Sequence, residues 1–346
     1  MSGESIAART RGMKGIPIRL TVVIPTLNRA QLVGRAIESA LSQRRDDIEI
    51  LVSDNGSTDA TPSIIERYRD PRLRTIRHGR TMSAVSHGNY LIREVRGELF
   101  VGLSDDDWIE PEFCGRAIEL YDRHPEIRFA YSGALLHYAE VAMPSLLGPE
   151  VESGEDFLRA YFAQKREVCW CASVCRTADL RADPLPEGRI FGDMYYWTRL
   201  ALRGPVGCIR LHLSHYTAYG SEHRNVVSVS PVLEWAREVR LVADEVSAGL
   251  RSRLAPKELR AFERDAARYV ARSTANQFVW NGLRGAGRLG LARAALTALP
   301  YLSDIDNIVV WLRVFAGIVA PRWLIEQRML AAARRNVSQR VAHPGA

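Results

Sequence analysis

Short apolar runs alternate with amphipathic stretches through the first half of the chain. Leu20-Thr21-Val22-Val23-Ile24, ending at Pro25, predicts a buried strand, as do Ile48 to Val52, Leu73 to Arg77 and Leu99 to Leu103. Between them, Leu32, Ala36, Ile37, Ala40 and Leu41 recur at helical spacing over 31–42, a second helix passes through Ile64, Ile65 and Tyr68, capped by Thr58 or Asp59, and a third covers 83–94. Strand–helix alternation implies parallel pairing with right-handed crossovers, and ligands of such sheets lie beyond the carboxyl ends of the strands. Those ends carry Pro25-Thr26, Ser53-Asp54 and Ser104 to Asp107, so three polar turns are expected on one edge. Further on, the pattern predicts a helix over Glu110 to Arg123, a strand beginning at Phe129-Ala130-Tyr131, a loop over Pro144 to Gly154 and a helix over 155–164. An exposed loop over Arg181 to Gly192, a helix over 194–203 and a last strand over Val206 to Leu213 follow.

From about residue 230 helical periodicity takes over, in 231–249, 256–281, 287–299 and 304–334. The expected organisation is a polar tail over 1–18, an α/β domain over 19–228 and a helical region over 229–346. In 304–320, Ile305, Ile308, Val309, Trp311, Leu312, Phe315, Ile318 and Val319 cover most of the helix surface, with Asp306 and Arg313 on a narrow polar stripe. The run is too short and too charged for an ordinary membrane span. Arg322, Arg328, Arg334, Arg335 and Arg340 follow it, a combination that fits an anionic membrane surface; a core helix or a homodimer contact fits as well.

Composition narrows the class. The 346 residues are 47% hydrophobic and 25% charged, ordinary for a globular protein. The net charge of +7 is spread over scattered arginines, which favours anionic ligands without a nucleic-acid pattern. Five cysteines with no apolar leader point to reduced thiols in a cytosol, and the spacing of Cys169, Cys171 and Cys175 is not that of a zinc site. Localisation is therefore expected to be cytoplasmic, or peripheral on the inner membrane face.

The chemistry concentrates in Ser104-Asp105-Asp106-Asp107. Adjacent carboxylates raise each other's pKa unless a cation or hydrogen-bond donors hold them. Hard oxygen ligands suit Mg²⁺ or Mn²⁺ shared with substrate phosphates. Read alone, the same residues also make a turn that caps the next helix.

Three blocks together resemble family 2 glycosyltransferases of the GT-A fold: Val22 to Arg29 their opening strand, Val52 to Asp59 their second strand and turn, and Leu103 to Trp108 their DxD region. The resemblance is strong over about 20–135, weaker over 136–215, and absent beyond about 230. It implies a Rossmann-like, mostly parallel sheet flanked by helices, and an inverting enzyme that moves a sugar from a nucleotide-diphosphate donor, UDP or dTDP, to a hydroxyl or amine. The acceptor could be a lipid-linked glycan or a small metabolite, in cell-surface glycan or secondary-metabolite glycoside synthesis. In the family, the residue matched by Asp54 accepts a hydrogen bond from the base, which suits an acceptor-only carboxylate. Pro25, Thr26, Asn28 and Arg29 would line the nucleotide pocket, Asp105 would touch ribose or sugar, Asp106 would bind the metal and Asp107 would support it or the sugar. Asn89 or Arg80 and His215 would contribute donor contacts; His212 and His223 lie in the same region. Ser104 stands where many relatives carry Asp. The family's general base is matched by Asp193, although Gly192 replaces the usual preceding Glu; Asp193 as a helix cap, with Glu187 as the base, is the other reading. Two rival functions remain: a nucleotidyltransferase, which the glycine-free Pro25 to Arg29 loop disfavours, and a non-catalytic sugar-nucleotide-binding scaffold.

Overall fold

The structure is a computed structural model and describes residues 17–190, 192–219, 231–283, 288–301 and 308–342. Most of the expected tail, His223 and the expected domain boundary near 225–230 lie outside these residues. Four parallel strands open the chain: β1 (Leu20–Thr26), β2 (Ile48–Asp54), β3 (Leu73–Arg77) and β4 (Leu99–Gly102), in the spatial order β3-β2-β1-β4. All seven residues of β2 are buried, as a strand covered on both faces requires. Val22 and Ile24 of β1 join the core under helices α1 (Val33–Leu41) and α4 (Phe113–Arg123). Val23, pointing the other way, joins Leu51 and Phe100 in a second core with α3 (Ala84–Glu94), α5 (Gly154–Phe162) and α7 (Gly192–Arg203). In α1, Val33, Ala36, Ile37 and Ala40 form the buried stripe. α2 (Thr61–Ile65) is one short turn, where the periodicity predicts a helix through Tyr68; Asp59 Oδ1 accepts the Thr61 amide at 2.9 Å before it.

The sheet is extended by β9 (Ser173–Arg176), antiparallel to both β4 and β6 (Phe129–Tyr138), and by β10 (Val206–Tyr219), parallel to β6. Short strands β5 (Trp108–Ile109) and β8 (Val151–Glu152) pair antiparallel with β10, and β7 (Val141–Pro144) with β6. Cys169 to Arg176, which the periodicity leaves unassigned, is a 3₁₀ turn (Trp170–Ala172) followed by β9 inside the sheet, and two local expectations change. The last strand runs six residues past Leu213, to Tyr219. The loop after Pro144 holds β8. All five cysteines are free and buried.

The C-terminal region is helical: α8 (Val232–Leu250), α9 (Pro256–Leu283), α10 (Arg288–Thr297), α11 (Ile308–Val319) and α12 (Arg322–Ala342). Pro321 divides what the periodicity reads as one segment over 304–334, since its ring cannot continue a helix. Ile305 and Asp306 lie outside the described residues. Val239, Val242 and Val246 of α8 and Phe262 and Val270 of α9 belong to the same core as α5 and α7, so these helices complete the sheet's covering layer. α6 (Thr177–Ala182) leads from β9 into the loop before α7.

Candidate active site

Register brings the polar strand ends together. Thr26 pairs with Asp54 across β1 and β2, and Val23 pairs with Gly102 of β4. Thr26 Oγ1 donates to Asp105 Oδ2 at 2.7 Å, so the β1 tip stands between Asp54 and the acidic turn. Pro25 lies beside it, half-buried. Arg29 Nε is 3.8 Å from Asp105 Oδ1. Asn28 is exposed at φ 55°, and its side chain accepts the Thr58 amide at 2.8 Å while its own amide donates to Ser57 Oγ at 2.8 Å. It ties the first loop to the second.

Asp54 Oδ1 accepts the Ser57 amide at 2.8 Å, closing the turn after β2. Asp54 Oδ2 is buried without a hydrogen bond and lies 3.5 Å from Nε of the largely exposed Arg77. The turn needs Gly56: its φ is +85°, and a Cβ there would sit 2.9 Å from the Arg80 carbonyl carbon. Behind Asp54, Ser53 Oγ is 2.8 Å from His87 Nε2 and 3.3 Å from His78 Nε2. Burial lowers the His87 pKa to about 4, with His78 adding repulsion and Asp54 opposing.

The acidic turn is strongly charged for its surroundings. Burial raises Asp105 to about 6; Thr26 and Arg29 oppose this and Asp106 adds to it. Asp107, fully buried, is pushed well above the ordinary carboxylate range by burial first and by Asp106 next. Its Oδ1 accepts the Thr217 amide at 2.8 Å, and its Oδ2 has only the Cys171 thiol beside it. The Asp106 carbonyl accepts from Arg35 Nη2 and Thr217 Oγ1, each at 2.6 Å. Arg35 also lies over the Trp108 ring, 3.8 Å from its centroid. A buried cluster of hard oxygens with a surplus of negative charge fits Mg²⁺ or Mn²⁺. Among the described residues no group of three or more His, Cys, Asp or Glu is placed to hold a metal ion by itself.

Asp193 stands in the first turn of α7, half-buried, its Oδ1 accepting the Met194 amide at 2.7 Å. Burial raises its pKa. Asp107 and Asp193 both raise the pKa of Cys169 and Tyr216, which places the two acids around the same pair of side chains. Glu187 instead accepts from Ser86 Oγ at 2.6 Å and Ser83 Oγ at 3.3 Å at the start of α3.

Two of the expected donor-contact residues have hydrogen-bond partners within the fold. Asn89 spends its whole amide on the Leu185 backbone, donating to its carbonyl at 2.8 Å and accepting its amide at 3.1 Å. His215 has both ring nitrogens engaged, Nε2 with Glu110 at 2.8 Å and Nδ1 with His137 at 3.0 Å, and stacks on Trp108 at 4.5 Å. It supports the Trp108 platform from the face its ladder pairing provides. His212 Nε2 reaches the Ser145 carbonyl at 3.1 Å, and Arg80 is exposed. The sequence reading missed Arg35, Thr217, His87 and His137. Arg35, Thr217 and His137 sit in no motif and reach the site from other elements, whereas His87 lies within Ser83 to Asn89, a stretch that resembles a further donor-binding segment of the family.

The family model for glycosyl transferase family 2 matches residues 21–146, which contain β1, β2, the acidic turn and β6. That stretch resembles a family 2 glycosyltransferase domain. Over 103 residues the chain is 37% identical to the succinoglycan biosynthesis protein ExoO of Rhizobium meliloti, covering 30% of each protein. Over 119 residues it is 34% identical to chondroitin synthase of Escherichia coli, covering 34% of this chain and 16% of that one. The chain thus spans under a third of the length of these curated relatives. Among solved structures, Staphylococcus aureus TarS 1–349 in complex with UDP-GlcNAc superposes with a TM-score of 0.59 at 16% identity, covering 91% of this chain and 92% of that one. The mannosyltransferase PcManGT of Pyrobaculum calidifontis, in complex with GDP-Man and Mn²⁺, gives 0.53 at 18% identity, covering 86% and 85%. These likenesses are of fold alone, and they reach beyond residues 21–146 into the helical region.

Proposed function

We propose that the chain is an inverting glycosyltransferase that moves a sugar from a UDP- or dTDP-sugar to an acceptor hydroxyl. The observation that carries this is Thr26, which pairs with Asp54 on one side and donates to Asp105 on the other. It sets a base-reading carboxylate and the acidic turn at the two ends of one nucleotide-sized edge. The buried Asp54 Oδ2, lacking a hydrogen bond, is the acceptor for a uracil or thymine N–H. Arg29 lies where it can meet an anionic group beside Asp105. Asp106, with Asp105 and Asp107 behind it, would hold a divalent cation. Such a cation, when bound, neutralises charge on the departing nucleoside diphosphate.

Asp193 is the base. The acceptor oxygen forms a bond to the anomeric carbon as the bond to the diphosphate oxygen breaks, and the acceptor proton passes to the Asp193 carboxylate. A carboxylate whose pKa is raised by burial holds a proton more firmly, which suits this role. Exposed Glu187, tied to two serines, is a worse candidate.

Titration calorimetry with UDP and Mn²⁺ tests the donor side. Asp106→Ala is expected to abolish the gain in UDP affinity that Mn²⁺ provides; an undiminished gain rejects the metal role. Asp193→Asn should bind UDP normally while sugar transfer or donor hydrolysis falls by about 10²–10⁴-fold. A GDP-sugar preferred over UDP- and dTDP-sugars in the same assays would reject the Asp54 reading.

A further inference from the structure

The C-terminal helices leave a cavity of about 450 Å³ between α9, α11, α12 and the β6–β7 hairpin, a volume in the range of small-molecule sites. Its walls are mostly apolar, with Val279 and Trp280 from α9, Leu312 and Ala316 from α11, and Met329 and Ala332 from α12. Apolar side chains at its margin stay in water: Leu312 is 58% exposed, Phe315 64% and Trp323 59%. Surfaces of this kind on a folded domain mark binding sites. Arg328 also lines the cavity, is exposed, and makes no ion pair with a described residue. Arg334 and Arg335 lie further along the same helix, outside the cavity lining.

The cavity wall approaches the candidate active site through Cys169, which acts electrostatically on Tyr138 and is itself acted on by Asp107 and Asp193. Tyr138 forms part of its wall and is the residue after His137 on β6. His137 pairs with Thr217 of β10, which binds Asp107 and the Asp106 carbonyl. Among the described residues, no helix is long and apolar enough to cross a membrane.

We infer that this groove binds the hydrocarbon chain of an anionic, lipid-linked acceptor, with Arg328 meeting its negative charge. This rests on the glycosyltransferase reading and names the acceptor class for it. Charge complementarity selects the occupant: an apolar slot lined by an exposed arginine that makes no ion pair with a described residue fits a long chain bearing an anion better than a neutral apolar helix. The proximity of Tyr138 to the acidic turn would leave the head of such a molecule within reach of the donor sugar.

The probe is cis-parinaric acid, a fluorescent fatty acid with a long chain and an anionic head, titrated below its micelle concentration into the full chain. Saturable binding is expected. Ala332→Trp and, independently, Ala316→Leu should weaken it tenfold or more by filling the slot, and Arg328→Glu several-fold. Arg335→Glu should change it little, because Arg335 lies outside the lining. Each variant is also titrated with UDP and Mn²⁺, and unchanged UDP affinity shows that the domain remains folded. Failure of the wild-type chain to bind the probe overturns the inference. So does equal weakening by Arg335→Glu and Arg328→Glu, which would indicate diffuse surface attraction, or binding only to phosphatidylglycerol vesicles, which would indicate a bilayer surface. Probe binding without any UDP binding would instead reject the donor reading and leave the groove standing.

Discussion

At the scale of single residues, the candidate site is built from polar groups held by neighbours that no local motif specifies. Asp105, Asp106 and Asp107 are legible in the chain because three acids after an apolar run are costly without a purpose, and Asp54 through the polar turn that ends the second apolar run. Arg35 and Thr217, which fix the main chain of the acidic turn, come from a helix and from a strand more than a hundred residues away. Asn89 and His215 show the opposite case: their residue types suggest ligand contacts, yet the fold uses their hydrogen-bonding capacity internally. His87 makes a prediction at this scale. Its folded pKa of about 4 lies below the unfolded value near 6.5. Between those values the unfolded chain binds more protons, so the neutral, buried imidazole contributes full stability above pH 6.5 and loses it as pH falls toward 4. The loss is on the order of 3 kcal/mol. Urea unfolding from pH 7 to pH 4 is expected to show this decline, and His87→Gln to flatten it; an unchanged slope in the variant would assign the effect to other groups.

At the scale of elements, the first four strands and their helices follow from periodicity, because each strand is short, apolar and bounded by polar turns. β9 does not. Its residues, Ser-Val-Cys-Arg, are too few to show a pattern, and they become a strand because β4 and β6 offer open edges on either side. The turn before β9 carries Trp170, whose ring fills the space beside Gly102: a Cβ on Gly102 would sit 2.1 Å from Trp170 Nε1. Gly102→Ala is therefore expected to cost about 2–3 kcal/mol through displacement of that ring. In a Trp170→Ala background the same change should be nearly neutral. Chemical denaturation of the four-member cycle measures the coupling; equal costs in both backgrounds would mean that the ring is not the obstacle. β10 likewise runs past its apolar core into Tyr216 and Thr217, because β6 and β5 continue to pair with it.

At the scale of the whole molecule, the helical region is bound into the sheet's architecture. α8 and α9 share a core with α5 and α7, and α12 returns to the β6–β7 hairpin. There Arg340 forms a two-pronged pair with Glu167 at 2.7 and 2.9 Å and donates to the Pro144 carbonyl at 2.5 Å. Ending the chain at Ala320 removes this strap and buried Ile325, and is expected to cost on the order of 3 kcal/mol. A thermal melt unaltered by the truncation would show α12 to be dispensable for the fold. The chain by itself determined the parallel half-sheet, the polar strand ends and the acidic turn, because apolar periodicity and adjacent like charges are local properties. Only the tertiary structure decided which groups face those acids, which expected ligands are already satisfied, and that an apolar slot opens beside the site. Each of these depends on contacts between segments far apart in sequence, whose pairing is set by packing the whole core.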